Sequence, residues 1–137
     1  MSDFQEKIKQ TKVQMSSLKG FLFALIFIIL ISACANPLSS WFAESGFREG
    51  HVDRCYWAAG IKRNMLNYET ASELYVRIIK TFPNRNENAF YYFAFCLDRK
   101  GEKQKAIRAY SEYLNLFPKG DFSNKAQQKL KRLISLS

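Results

Sequence analysis

The sequence predicts an all-helical fold of stacked helix pairs, and three observations carry that prediction. Residues 70–83 read TASELYVRIIKTFP and residues 105–118 read KAIRAYSEYLNLFP, so that Ala71 pairs with Ala106, Tyr75 with Tyr110, Ile79 with Leu114, Phe82 with Phe117 and Pro83 with Pro118, always 35 residues apart. A fixed period of that size marks a repeat architecture. Within each copy the apolar residues (Ala71, Leu74, Tyr75, Ile78, Ile79 and Phe82 in the first) recur in steps of three, one and four. That spacing gives one broad face of a helix and fits no strand. Each copy closes on Phe-Pro, where the proline cannot continue a helix and its predecessor is driven out of the helical region.

Upstream of the second copy, Phe90, Phe93, Ala94 and Leu97 supply large, large, small and large side chains at helical spacing, and Gly101 marks the turn. Together with the second helix this stretch resembles the tetratricopeptide repeat. In the first copy the corresponding positions are Cys55, Ala58, Ala59 and Lys62, with Leu66 in place of the turn glycine, so that copy is degenerate. The resemblance implies tandem helical hairpins, an α-solenoid fragment, at 52–86 and 87–121. A capping helix over 122–137 would follow, and an N-terminal hydrophobic signal or anchor helix would precede them.

Taken in order, the chain begins with 14 polar, mildly basic residues and then MSSLKG before thirteen uncharged residues, 21–33, and Cys34. A run that short fits the core of a signal peptide better than a spanning helix, which needs about 20 apolar residues. The tetrapeptide Ile31-Ser32-Ala33-Cys34 resembles the lipobox of bacterial lipoproteins. That resemblance implies cleavage after residue 33 and acylation of Cys34, with palmitate-class chains. Each buried methylene is worth about 0.8 kcal/mol, so more than one chain anchors stably where a single chain is marginal. An uncleaved anchor is the alternative, because counting Gly20 and residues through Phe42 lengthens the run to spanning size with aromatic residues at its end. An interior helix is a third reading, and a start at Met15 would make a compact signal. Lys7, Lys9, Lys12 and Lys19 outnumber Asp3 and Glu6 before the run, which keeps the amino end cytoplasmic and exports the repeats. In a eukaryotic host the same layout would suit a receptor on an organelle surface.

Residues 34–51 are rich in turn formers and are expected to be a tether, with at most a short helix after Ser40. Trp41 and Phe42 there need either lipid or the flank of the first repeat. His51 is the only histidine; without a second imidazole or a Cys-x-x-Cys pair no metal site is expected. Residues 52–65 form the weak first helix, Asn67 is placed to cap the next one, and Asn84 with Glu87 has capping-box spacing.

The tetratricopeptide resemblance implies a groove lined by Asp53, Tyr56, Gly60, Arg63 and Asn64 in the first copy and Asn88, Tyr91, Phe95, Asp98 and Arg99 in the second. Rigid aromatic rings beside guanidinium groups suit a peptide or protein partner, the guanidinium taking a carboxylate. Tyr56, Arg63, Asn64, Asn88, Tyr91, Phe95 and Arg99 are the candidate groove residues. The competing expectation is that Tyr91 and Phe95 simply pack against the next helix, and that Asp98 pairs with one of the arginines. In the last helix Ala126, Leu130, Leu133 and Ile134 are expected to cover the end of the array.

The formal net charge is +9; leaving out residues 1–33 removes four of the 21 basic and two of the 12 acidic residues, so +7 remains. The excess lies in 100–105 and 119–132 and favours anionic headgroups or an acidic partner, nucleic acid only for an unexported chain. Cys55 and Cys96 are expected as buried free thiols. A six-residue stagger between equivalent helices is about 9 Å, beyond the 4.4 to 6.8 Å usual between bonded Cα atoms. The sequence contains no serine elbow, no phosphate loop and no cysteine with a matching histidine, so no enzyme, cofactor or small-molecule substrate is expected. The expected function is a membrane-anchored adaptor for protein partners in a bacterial envelope complex. The absence of aspartate after Cys34 points by resemblance to the outer membrane, facing the periplasm. The alternative is an integral subunit of a membrane complex, single-pass in the inner membrane, with its N-terminal helix uncleaved.

Overall fold

The computed structural model describes residues 2–83 and 86–135, with side chains from Leu18 onward except Ser32. Six helices make up this structure: α1 (Ser2–Glu49), α2 (Val52–Asn64), α3 (Tyr68–Thr81), α4 (Glu87–Arg99), α5 (Lys103–Leu116) and α6 (Ser123–Ser135), and no strand occurs among the described residues. The chain divides into two compact units, one ending at Pro37 and the other beginning at Leu38. Asn84, the first member of the expected capping box, lies outside the described residues.

The first unit is helical, and from Leu18 to Ile31 its large apolar side chains are exposed. The stretch Leu18–Glu49 is long and apolar enough to cross a membrane by length and composition.

In the second unit each helix from α2 to α5 packs against the next in sequence. The burial pattern explains the 35-residue period. Tyr75 and Tyr110 are fully buried, as are Ile78 and Tyr113, which occupy another equivalent pair. Small residues share their clusters: Cys55 and Ala59 of the preceding helix and Ala89 of the following one with Tyr75, and Ala94 of the preceding helix and Ala106 of the same helix with Tyr110. Full burial of a large apolar side chain is worth about 1.5 to 3 kcal/mol, so repetition of these sites specifies the hairpin twice.

The helix ends follow local chemistry. Asn67 accepts a hydrogen bond from the Thr70 amide at 3.2 Å, a side-chain N-cap. Phe82 and Phe117 close α3 and α5, their amides bonding to the Ile78 and Tyr113 carbonyls. The turns between the paired helices are built alike. Gly101 has φ +79° and Leu66, 35 residues earlier, has φ +61°, a left-handed conformation that glycine adopts without steric cost and leucine does not.

The expected tether is different from the structure found. Residues 34–49 continue α1, and from Ser39 the helix packs within the second unit: Ser39, Ala43 and Gly46, spaced three or four apart, are buried. Phe47 stacks on Phe82 at 6.1 Å, and Glu44 pairs with Arg77 at 2.6 Å. Turn formers were outweighed here because the small residues fall on one helical face that a neighbouring helix can approach closely. Ile134 also departs from expectation. Ala126 and Leu133 are buried and Leu130 is half-buried, but Ile134 is 57% exposed, one position beyond the face that meets the array.

Cys55 and Cys96 are buried and unbridged. Burial pushes both thiols up to about 11, because their charged form would lose its hydration.

Candidate functional site

The N-terminal half of α2 and the start of α4 present side chains to a common hollow. Tyr56 is held there by the Ala89 amide, which donates to its hydroxyl at 3.2 Å. Burial raises its pKa, partly opposed by that hydrogen bond. About two turns along α2, the Arg63 guanidinium lies 3.8 Å above the Tyr92 ring and donates to the Tyr75 hydroxyl at 3.3 Å. Tyr92 in turn stacks on Tyr75 at 5.7 Å. The guanidinium is thus positioned by a ring and a hydroxyl, and among the described residues no carboxylate pairs with it.

Asp53, Tyr56, Gly60, Arg63, Tyr75, Asn88 and Tyr92, with Val52, line a cleft of about 420 Å³. A larger hollow of about 670 Å³ shares Tyr56 and Asn88 and extends over Phe90, Leu116 and Phe117 to Glu87 and Asp121. Burial raises the Tyr75 pKa above that of an ordinary phenol. Aromatic walls with a stacked guanidinium suit recognition of a peptide chain or carboxylate. Among the described residues no cluster of three or more His, Cys, Asp or Glu side chains could hold a metal.

Of the candidate groove residues, Tyr56, Arg63 and Asn88 come together in this cleft. Phe95 and Arg99 meet at a different place, around Tyr68: Phe95 edge-on at 6.2 Å and Arg99 donating to the Tyr68 hydroxyl at 3.3 Å. Asn64 is exposed at the end of α2. Tyr91 is a correction. It is 6% exposed and its ring stacks flat on Phe122 at 4.3 Å, so it belongs to the core between α4, α5 and the segment entering α6. Asp98 pairs with Arg132 through both carboxylate oxygens at 3.0 and 2.8 Å, not with Arg63 or Arg99. His51 is exposed, with Nε2 3.8 Å from Glu49.

Sequence reasoning missed Tyr92 and Tyr75 as cleft residues. Tyr75 lies on the apolar helix face, and Tyr92 falls between the repeat's expected core and groove positions; the signal is the guanidinium at Arg63, which in a half-buried site needs an aromatic face or an acceptor nearby. Glu87, whose spacing suits a capping box, reaches further than its own helix: its Oε1 accepts from the Tyr113 hydroxyl at 2.9 Å and the Asp121 amide at 2.8 Å.

Fold and cleft together define a protein of stacked α-hairpins whose hollows are lined by helices of successive pairs. Within it, residues 88–120 match the family model described as tetratricopeptide repeat, about a quarter of the chain. The match covers most of α4, all of α5 and the turn that follows, and it points to protein–protein interaction as the role of this structure. No curated protein matches the chain.

Proposed function

We infer that the chain is a membrane-anchored adaptor that holds protein partners in a bacterial envelope complex, with the cleft at Tyr56, Arg63 and Asn88 as its docking site. The observation that carries this reading is Arg63: stacked on Tyr92, bonded to Tyr75 and, among the described residues, free of a paired carboxylate, its guanidinium is preorganised for an acidic group on an incoming chain. Preorganisation lowers the ordering cost of binding. Anchoring is supported by the exposed apolar side chains from Leu18 to Ile31 and by exposed Cys34 at the end of the lipobox-like tetrapeptide. Acylation of Cys34 and an outer-membrane location facing the periplasm belong to this proposal. An uncleaved helix serving an integral subunit is the second reading, favoured by the length of the apolar stretch.

A photo-crosslinking residue at Asp53, in the cleft, and another at Glu112, exposed on α5, test the docking site in native membranes. Adducts from position 53 alone that disappear in Arg63→Ala are expected. Equal labelling from both positions, or none from position 53, would sink the reading. Intact mass separates the anchors: an acylated N-terminal Cys34 for the first, a retained N-terminus without lipid for the second.

A further inference from the structure

Folding carries one residue of the repeats to the end of the uncharged sequence. No charge occurs between Lys19 and Glu44, so Leu38 and Trp41 belong to the same apolar stretch as residues 21–33. Trp57, on α2, packs edge-on against Phe42 with centroids 4.8 Å apart, and Trp41 meets the same ring at 5.1 Å. These two indoles, and Leu38 one helical turn before Phe42, are turned outward: Leu38 is 48% exposed, Trp41 61% and Trp57 48%. They come from two helices and form one apolar ledge on the second unit.

The chain holds only two tryptophans, and both are on this ledge. Indole favours the boundary of a bilayer, where its ring leaves water while its N–H keeps a hydrogen-bond partner. A bilayer surface is the occupant that the sequence singles out, because Leu38 and Trp41 are continuous with a stretch whose length and composition suit a membrane. The geometry points to Trp57, together with Leu38 and Trp41, as a contact between the repeat unit and the lipid headgroup region. The inference rests on the membrane-anchored reading and adds to it that α2 itself touches lipid.

Tryptophan fluorescence of the full chain in phosphatidylcholine–phosphatidylglycerol vesicles tests this. Trp41→Phe leaves Trp57 as the sole indole and Trp57→Phe leaves Trp41; Trp41→Tyr gives the same readout should the phenylalanine variant lose helix content. Bromine near the headgroup is expected to quench Trp57 several-fold more strongly than bromine at the acyl chain end, with vesicles also shielding it from aqueous iodide. Trp41 quenched while Trp57 stays open to iodide would overturn the α2 contact and leave the anchor standing. Shielding of Trp57 from both iodide and bromine would assign the ledge to protein and equally overturn it. A chain that fails to float with the vesicles would remove the anchored reading and this inference with it.

Discussion

The Tyr113 hydroxyl donates to Glu87 Oε1 at 2.9 Å and accepts the Phe122 amide at 3.0 Å, while Glu87 also takes the Asp121 amide. One carboxylate at the start of α4 thereby fixes the turn between α5 and α6. Gly120 sits against this pair: an added Cβ would clash with Glu87 Oε1 and come 2.6 Å from the Tyr113 oxygen. Gly120→Ala is expected to destabilise by about 1 to 3 kcal/mol, as overpacking does, and Glu87→Ala by about the same through unpaired donors. Urea unfolding of both variants checks this; wild-type midpoints would refute it.

Leu66 holds a left-handed backbone where the second hairpin has glycine. That conformation costs a residue with a Cβ roughly 1 to 2 kcal/mol, and glycine's freedom in the unfolded chain returns about 0.4 to 1 of it. Since the leucine side chain is 67% exposed, little packing is lost. Leu66→Gly should therefore raise stability by somewhat under 1 kcal/mol, read as a higher urea midpoint with unchanged slope.

Two equivalent tyrosines differ in how their hydroxyls are met. Tyr75 accepts from Arg63, but at the position of Arg63 the second hairpin has Asp98, which turns to Arg132 and Lys129. The buried Tyr110 hydroxyl is left without a partner among the described residues. Tyr75→Phe should then cost about 1 kcal/mol, and Tyr110→Phe should be neutral or stabilising. Thermal or urea melts of the two variants give the comparison, and equal losses would contradict it.

Docking and packing separate at Arg63 and Tyr91. Arg63→Ala is expected to abolish partner crosslinking at the cleft while costing about 1 to 3 kcal/mol of stability, since the buried Tyr75 hydroxyl loses its donor. Tyr91→Ala should cost about 3 to 5 kcal/mol whether or not a partner is present, because its ring is core. Reversal of that order in melts and crosslinking would return Tyr91 to the binding face.

Stability should fall in alkali. Cys55 and Cys96 are raised by burial to about 11, above an unfolded thiol near 8.5. The folded state thus keeps protons that the unfolded state loses. This contribution is complete below the unfolded value and disappears as pH rises through about 11. Tyr75, Tyr110 and Tyr113 act in the same direction, Tyr113 being pushed up to about 12, chiefly by burial. Urea midpoints from pH 8 to 11 should decline, and a Cys55→Ala, Cys96→Ala double variant should decline less steeply.

The repeated helices were legible because burial of Tyr75 and Tyr110 imposes a period that propensity alone would not. The cleft was half legible. Tyr56, Arg63 and Asn88 follow from the tetratricopeptide resemblance, whereas Tyr91 is taken up by Phe122, a residue of the loop before α6 whose ring contact no helical periodicity encodes. The helical run to Glu49 was hidden for another reason. Serines, a glycine and Pro37 favour turns locally, and only docking of Ala43 beside Cys55 and Phe47 on Phe82 makes the helix worth forming.

That docked helix sets a reach. Eighteen residues of open chain from Cys34 would let the hairpins roam about 60 Å, at 3.3 to 3.6 Å per residue. Because packing begins at Ser39, an acyl group on Cys34 would leave about 17 Å even at full extension. Any client would have to come to the membrane to be bound, and a complex spanning to a distant layer would need a second, longer component to bridge the gap.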